Sequence, residues 1–438
     1  MVWFSASYGV AILGYLGLSA VAGRWLGPEN FGHFVVALNV TGLIAQFGLG
    51  GVNRSGLREA ARLRGADDDG EGMASLRNGV RAVMLTLLPL SALATTVVVW
   101  FTTGVEGTST KLALSLAMGA MVLLNGHQKV WANYLRGFGY VKLAALVEGR
   151  SGGALVASLQ ALLLYAAWKL VPESGLTGAL VAVAIGFAIP VIWARQVVHR
   201  HWGTVVGQAP SLLRDLKATL RRDWRFVSVQ VATYLNISIE LWLAALVLSR
   251  TDTSMFSAGL RMAQLLMMPM TALQVVFAPA IARMMHKPDG TDTAERLLRT
   301  GATVAAVLTA FIWLPMLVAP QLVLRIVYGA GFGDAQPLML LLSLGFVVNV
   351  LMGLAGTTLS MAGREGVGAK IQWVGVILRC LLAYPAAKLG GVVWLAAEAS
   401  IVSSVVFVVM WWRTRQVLGV DTAVTFKPDL HVLRRTAG

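Results

Sequence analysis

The sequence predicts an all-α polytopic membrane protein. About twelve transmembrane helices are expected, in two six-helix lobes related by pseudo-twofold symmetry, with both termini cytoplasmic. Three observations carry this expectation. The 438 residues are 57% hydrophobic and only 13% charged, against roughly 25% charged in a soluble domain. Apolar runs recur from end to end, each about 20 residues long, enough at ~1.5 Å per residue to cross a ~30 Å hydrocarbon core. The basic residues fall in alternate links between the runs, as the positive-inside rule requires.

The chain opens on two such runs, 3–23 and 34–52, joined by Arg24-Trp25-Leu26-Gly27-Pro28-Glu29-Asn30-Phe31-Gly32-His33. Pro28 lacks a backbone N–H and restricts Gly27, so the link reads as a short polar turn in a transmembrane hairpin. Ala20-Val21-Ala22 resembles a signal cleavage site, but no basic region precedes it, so the first run is read as a retained span. The remaining spans are expected near 80–101, 111–133, 143–166, 176–196, 224–248, 254–281, 299–318, 334–359, 369–387 and 391–412. Links 53–79, 134–142, 197–223, 282–298 and the tail from Arg413 hold two or more Lys and Arg each, and link 360–368 holds Arg364. The intervening links carry at most one each. The alternating apolar and polar residues of an outer-membrane barrel are missing.

Within link 197–223, Leu212, Leu216, Leu220 and Trp224 recur every fourth residue with basic residues between them. That pattern predicts an amphipathic helix lying on the cytoplasmic interface. It divides the chain into an N-terminal lobe (1–196), the linker (197–223), a C-terminal lobe (224–412) and a cytoplasmic tail (413–438). The halves echo each other. Phe31 and Phe256 follow the first and seventh spans, 225 positions apart, and Gly137 and Gly363 follow the fourth and tenth, 226 apart. Six spans per repeat give both halves one orientation, and substrate sites in such transporters usually lie between the halves.

The formal charge of +15 belongs to loops facing anionic lipid rather than to nucleic acid. The single Cys380 excludes an intramolecular disulfide and a cysteine metal site. His127, His199 and His201 lack metal-ligand spacing, and no phosphate-binding loop, nucleophile elbow or catalytic dyad occurs. No catalytic residue, cofactor or enzyme activity is therefore expected.

Four segments resemble the polysaccharide (O-antigen type) flippases, in the superfamily that also holds the lipid II flippases and the multidrug and toxin extrusion transporters. They are Arg24-Trp25-Leu26-Gly27-Pro28-Glu29-Asn30-Phe31-Gly32; Phe47-Gly48-Leu49-Gly50-Gly51 leading to Arg58-Glu59-Ala60-Ala61-Arg62; Leu135-Arg136-Gly137-Phe138-Gly139; and Met255-Phe256-Ser257-Ala258-Gly259-Leu260-Arg261-Met262-Ala263-Gln264 with the following Pro269 and Ala278-Pro279-Ala280. The resemblance implies a bacterial inner-membrane transporter. It would move undecaprenyl-pyrophosphate-linked oligosaccharides for polysaccharide biosynthesis by alternating access, driven by H+, Na+ or the membrane potential. Its partners would be that lipid-linked substrate, membrane lipids and polysaccharide assembly proteins.

Charges inside spans are costly and tend to face a cavity or a partner. Arginine suits pyrophosphate because its planar fork donates two parallel hydrogen bonds. The resemblance implies cavity positions for Arg261, seven residues into the eighth span, and for Arg24; the other readings are a structural ion pair and an anchor beside Trp25. Arg54 is either a substrate ligand or a positive-inside anchor. Lys129, within Asn125-Gly126-His127-Gln128-Lys129, is a sugar contact or snorkels to the interface. Arg150 and Arg379 complete the substrate-binding candidates. Glu148 is two residues from Arg150, so each would pair with other helices. Glu240, one turn after Asn236, and Glu398 are the ion-coupling candidates; a salt bridge from Glu240 to Arg261 is the plain alternative. A multidrug-type cation antiporter would favour an acidic cavity, whereas these candidates lean basic. A membrane polymerase or ligase would need a large external loop, and the longest external link, 319–333, has about 15 residues.

Overall fold

The computed structural model describes residues 2–65, 71–148, 153–202, 211–285, 290–429 and 431. The described residues are almost entirely helical and contain no strand. The helices are α1 (Val2–Gly48), α2 (Val52–Gly65), α3 (Glu71–Leu85), α4 (Leu87–Thr102), α5 (Thr108–Gly137), α6 (Val141–Val147), α7 (Ala154–Leu170) and α8 (Gly175–Trp202). They continue as α9 (Leu212–Val247), α10 (Arg250–Gln264), α11 (Met268–Met285), α12 (Gly290–Val318), α13 (Pro320–Tyr328), α14 (Gln336–Met352), α15 (Ala355–Met361) and α16 (Glu365–Leu418).

Eight stretches among the described residues are long and apolar enough to cross a membrane. Two of them, in α1 and α16, each hold two of the expected spans, joined at a glycine. Two further expected spans are broken, one into α6 and α7, the other into α10 and α11. Among the described residues the expected apolar runs occur as helix, with further interruptions at Thr86 and at Gly353-Leu354. The turn expected over residues 24–33 shrinks to one non-helical residue, Gly27 (φ 63°, ψ −178°), a conformation open to glycine because it has no Cβ. Pro28 then starts the next arm, where its missing N–H costs nothing. Gly391 (φ 64°) plays the same part in α16. Serine and threonine hydroxyls inside the helices bond back to carbonyls four residues earlier, as Thr41, Thr95 and Ser257 do, which spares unsatisfied polar groups in hydrocarbon.

The chain forms two compact units. The first comprises Met1–Gly27 and Phe34–Val231, the second Pro28–His33 and Ala232–Gly438. In the first unit α5 is central and packs on α2, α4 and α8. In the second, α14 packs on α10, α12 and α16. The stretch 211–224 differs from its expectation. It is no separate interfacial helix but the opening of α9, which continues unbroken into the seventh span. The reason is on its inner face, where Thr219 and Asp223 are buried. Asp223 accepts hydrogen bonds from Ser55 Oγ (2.6 Å) and from Arg222 Nε (2.8 Å). Gly51, at φ 87°, lets the chain pass so close that a Cβ there would sit 2.7 Å from the Asp223 carbonyl oxygen.

The tail also differs. Helix α16 runs to Leu418, and residues 419–429 then lie along α12 and α14. Val420 enters the core among Leu297, Ala302 and Val350. Thr422 Oγ1 donates to Met352 O (2.7 Å), Val424 N to Leu351 O (3.0 Å) and Asp429 N to Thr300 Oγ1 (3.0 Å).

Candidate functional site

The second unit holds a polar cluster in the middle of apolar helices. On α9, Asn236 and Glu240 are one turn apart and share a face. On α16, Gln372, Gly375 and Arg379 recur at helical spacing, and Ser403 and Glu398 follow beyond Gly391. Arg379 ties these together. Its Nη1 donates to Glu240 Oε1 in an ion pair. Its Nε donates to Asn236 Oδ1 (3.2 Å) and its Nη2 to Ser403 Oγ (2.7 Å). Asn236 Nδ2 in turn donates to the Gln372 side-chain oxygen (2.9 Å) and main-chain oxygen (2.8 Å). Both charged side chains of the pair are 4% exposed. Removing two charges from water costs several kcal/mol each, and the geometry must return it. Here the guanidinium reaches α9 and both arms of α16 with all three nitrogens. Gly375 makes the approach possible, since a Cβ there would lie 2.8 Å from Asn236 Oδ1.

Glu398 is a second buried carboxyl in this unit, 7% exposed. Neither of its oxygens has a hydrogen-bond partner, although Arg379 is the charge that acts on it. Arg261 is buried on α10, 6% exposed, within an unbroken buried run from Thr253 to Ala263. The ion pair expected between Glu240 and Arg261 is replaced by the pair with Arg379, because α16 places its guanidinium against α9.

The other expected residues are in the first unit. Lys129 on α5 is half-buried and its Nζ lies 3.5 Å from Gly42 O. Arg24 is exposed near the end of the first arm of α1, next to Trp25, whose Nε1 donates to Pro172 O (3.1 Å). Arg54 opens α2, but its side chain lies outside the described residues, as does Arg150 altogether. Glu148 pairs with Arg136 at 2.9 Å. Arg136 Nη2 also donates to Glu148 O (2.6 Å), closing the end of α5 against α6.

The structure therefore brings Glu240 and Arg379 together. Sequence reasoning singled out Asn236 and missed Gln372, Gly375 and Ser403. The first two had a signal in their spacing to Arg379 along one helix face. Ser403 had none, since hydroxyls are common in these helices.

The opening motif serves the second unit's core. Phe31 is fully buried against Tyr328 and Phe332 (ring centroids 5.1 and 5.6 Å). Gly32 N donates to Ser254 Oγ (2.7 Å).

A two-lobed membrane architecture, almost entirely helical in the described residues, is the class this fold defines, and solved structures share the fold. The chain is similar to an inward-facing multidrug resistance transporter of the MATE family and MOP superfamily, with TM-score 0.66, 16% identity, and coverage of 94% of this chain and 98% of that one. It is similar to a MATE protein in complex with MaL6, with TM-score 0.62, 17% identity and coverage of 95% and 96%. It is also similar to a MOP superfamily transporter from Pyrococcus furiosus described as having a binding pocket of reversed polarity, with TM-score 0.56, 18% identity and 95% of each chain covered. No curated protein matches the sequence. The profile of the polysaccharide biosynthesis protein family matches residues 1–285, and the chain belongs to that family.

Proposed function

We propose that the protein is a flippase for undecaprenyl-pyrophosphate-linked oligosaccharides in a bacterial inner membrane, with both termini cytoplasmic and alternating access coupled to an ion or to the membrane potential. The observation that carries this reading is the match to a polysaccharide biosynthesis family on a chain with a MATE-type fold. The physical need is plain. A saccharide on a pyrophosphate cannot cross hydrocarbon unaided, because its charges and hydroxyls would lose their hydration. A cationic path supplies replacements, and Arg261 is our main phosphate ligand, with Arg24, Arg54, Lys129 and Arg150 along the route. Glu240 and Glu398 serve the coupling ion.

The test uses a strain lacking the protein. Undecaprenyl-pyrophosphate-linked oligosaccharide should accumulate on the cytoplasmic side, relieved by the wild type and not by Arg261→Ala. No accumulation, with a change in resistance to cationic drugs instead, would move the protein to the multidrug branch.

A further inference from the structure

We propose that the flank of the first unit formed by α3 and the end of α8 holds a resident anionic phospholipid, with its phosphate on Arg81 and Arg195 and its acyl chains along the apolar faces above them. This concerns a lipid of the surrounding bilayer and does not depend on what the protein transports.

The two arginines stand at one depth. Residues 82–105 and 174–194 carry no charge, and each stretch fills a ~30 Å hydrocarbon core at ~1.5 Å per residue. Arg81 and Arg195 are the first charges at their inner ends. Both therefore lie where hydrocarbon gives way to headgroups, on the side that the positive-inside rule assigns to the cytoplasm.

A main-chain contact also brings them to one place. Arg77, one turn before Arg81, donates from Nη1 to Trp202 O at the end of α8 (3.1 Å). Helix α3 leads into the third span and α8 is the sixth, so the two run in opposite directions. From that contact Arg81 lies about 6 Å further into the bilayer, and Arg195, two turns before Trp202, about 10 Å. Arg195 Nε lies 3.5 Å from His199 Nε2. The His199 ring packs on Trp131 and Trp202, with centroids 5.8 and 5.9 Å apart, so the arginine rests on a fixed aromatic base. Its two terminal nitrogens, the fork that suits a phosphate, have no partner among the described residues, and neither has the guanidinium of Arg81. Acceptors are scarce: α5 and α8 carry no carboxylate, and α3 carries only Glu71, well below Arg81.

The faces above the arginines settle what kind of anion fits. From His199 and Arg195 upward, steps of three or four residues along α8 reach Ile192, Ile189 and Ile185, which share one helix face and are all exposed. One turn above Arg81, Leu85 is exposed too. Open aliphatic side chains above and unpaired guanidinium groups below match an amphiphile in outline. A soluble anion would leave the upper half unused. A zwitterionic lipid would bring a cation that the arginines repel. Basic clusters at the cytoplasmic ends of transmembrane helices hold anionic headgroups in this way.

The experiment is native mass spectrometry of the full-length protein in detergent, titrated with phosphatidylglycerol, cardiolipin or phosphatidylcholine. The two anionic lipids should fill a site for which phosphatidylcholine does not compete, and millimolar inorganic phosphate should not displace them. Arg81→Gln with Arg195→Gln should weaken the anionic lipids by about tenfold or more. Lys217→Gln with Arg221→Gln, which removes as much charge from the exposed surface of α9, should leave the affinity unchanged. Equal loss in the two double variants would reveal a diffuse attraction and overturn the site. Equal binding of phosphatidylcholine, or release by inorganic phosphate, would overturn it too. Undecaprenyl pyrophosphate that fills the site where phosphatidylglycerol does not would make this flank part of the transport route and overturn the resident lipid. Should the double arginine variant fold poorly, the two single variants read the same site, and unchanged affinity in both overturns it equally. None of these outcomes bears on the lipid-accumulation assay, where the flippase reading is tested.

Discussion

The two units treat charge differently. In the first, the paired charges sit at helix ends: Arg136 with Glu148 where α5 meets α6, and Arg222 with Asp223 in the opening turns of α9. Arg222 is 44% exposed while its partner is fully buried, so one end of the pair stays in contact with polar surroundings. In the second unit the pair of Arg379 and Glu240 lies within apolar stretches, and both members are buried. At the repeat separation of 225 residues, Asn236 and Glu240 correspond to Ala11 and Tyr15. Neither of these two residues carries a charge. The difference teaches that charges near spans fall into two groups. Those at the ends secure helix termini, as Arg136 and Glu148 do where α5 meets α6, and the mid-span group bears the cost that marks a functional site.

The comparison breaks most directly at Arg379. Arg379→Ala strands the buried Glu240 carboxylate and should lower the stability of the second unit by about 3–5 kcal/mol, whereas Arg379→Ala with Glu240→Ala should recover much of it. Thermal melting in detergent measures both, and wild-type melting of the single variant would show that the guanidinium is no counter-charge. Gly375→Ala pushes a methyl group into Asn236 and Val406 and should cost about 1–3 kcal/mol; a melt unchanged from wild type would mean that α9 and α16 need no such close approach.

In the first unit, Ser55→Ala removes a donor from buried Asp223 and should cost about 1–2 kcal/mol by the same measurement, less than the loss at Arg379. Lys129→Ala removes a long contact to a carbonyl and should change stability by less than about 1 kcal/mol, while reducing export if Lys129 serves the sugar. Undiminished polymer output in that variant would remove it from the route.

The smallest effect concerns the tail. Partial burial opposes ionisation of Asp421, but the Trp411 indole N–H, the Ala423 N–H and the charges of Arg299 and Arg415 outweigh it and hold the carboxyl below its ordinary range. Its contribution is therefore present above the ordinary carboxylate range and is lost as the pH falls through the lowered value. Trp411→Phe should flatten the acid limb of the melting profile slightly; an unaltered limb would show that the indole does not hold Asp421.

Much of the fold was legible because lipid leaves few choices. Backbone groups in hydrocarbon must bond internally, so each long apolar run had to be largely helix, as the described residues are. What the runs did not reveal is where one helix stops and another starts. Gly27 and Gly391 turn the chain with a single residue, and no polar link of any length is needed. The docking of residues 419–429 was hidden for another reason: Val420 and Thr422 are short, isolated positions in a polar tail, and their burial depends on grooves made by α12 and α14. At the site, Glu240 and Arg379 were visible as costly charges, but their partnership was not. Residues 139 positions apart meet only through tertiary packing, and the nearer arginine in sequence, Arg261, was the reasonable first choice. Gln372 and Ser403 are ordinary polar residues until an arginine is placed beside them.

The most direct test of the flippase account is transbilayer movement in vesicles. Undecaprenyl-pyrophosphate-linked oligosaccharide would be placed in one leaflet, and its arrival in the other followed with and without the purified protein. The account predicts a rate that rises with the protein and falls to the protein-free level with Arg261→Ala. A rate equal to that of protein-free vesicles, from wild-type protein that is folded and inserted, would contradict it.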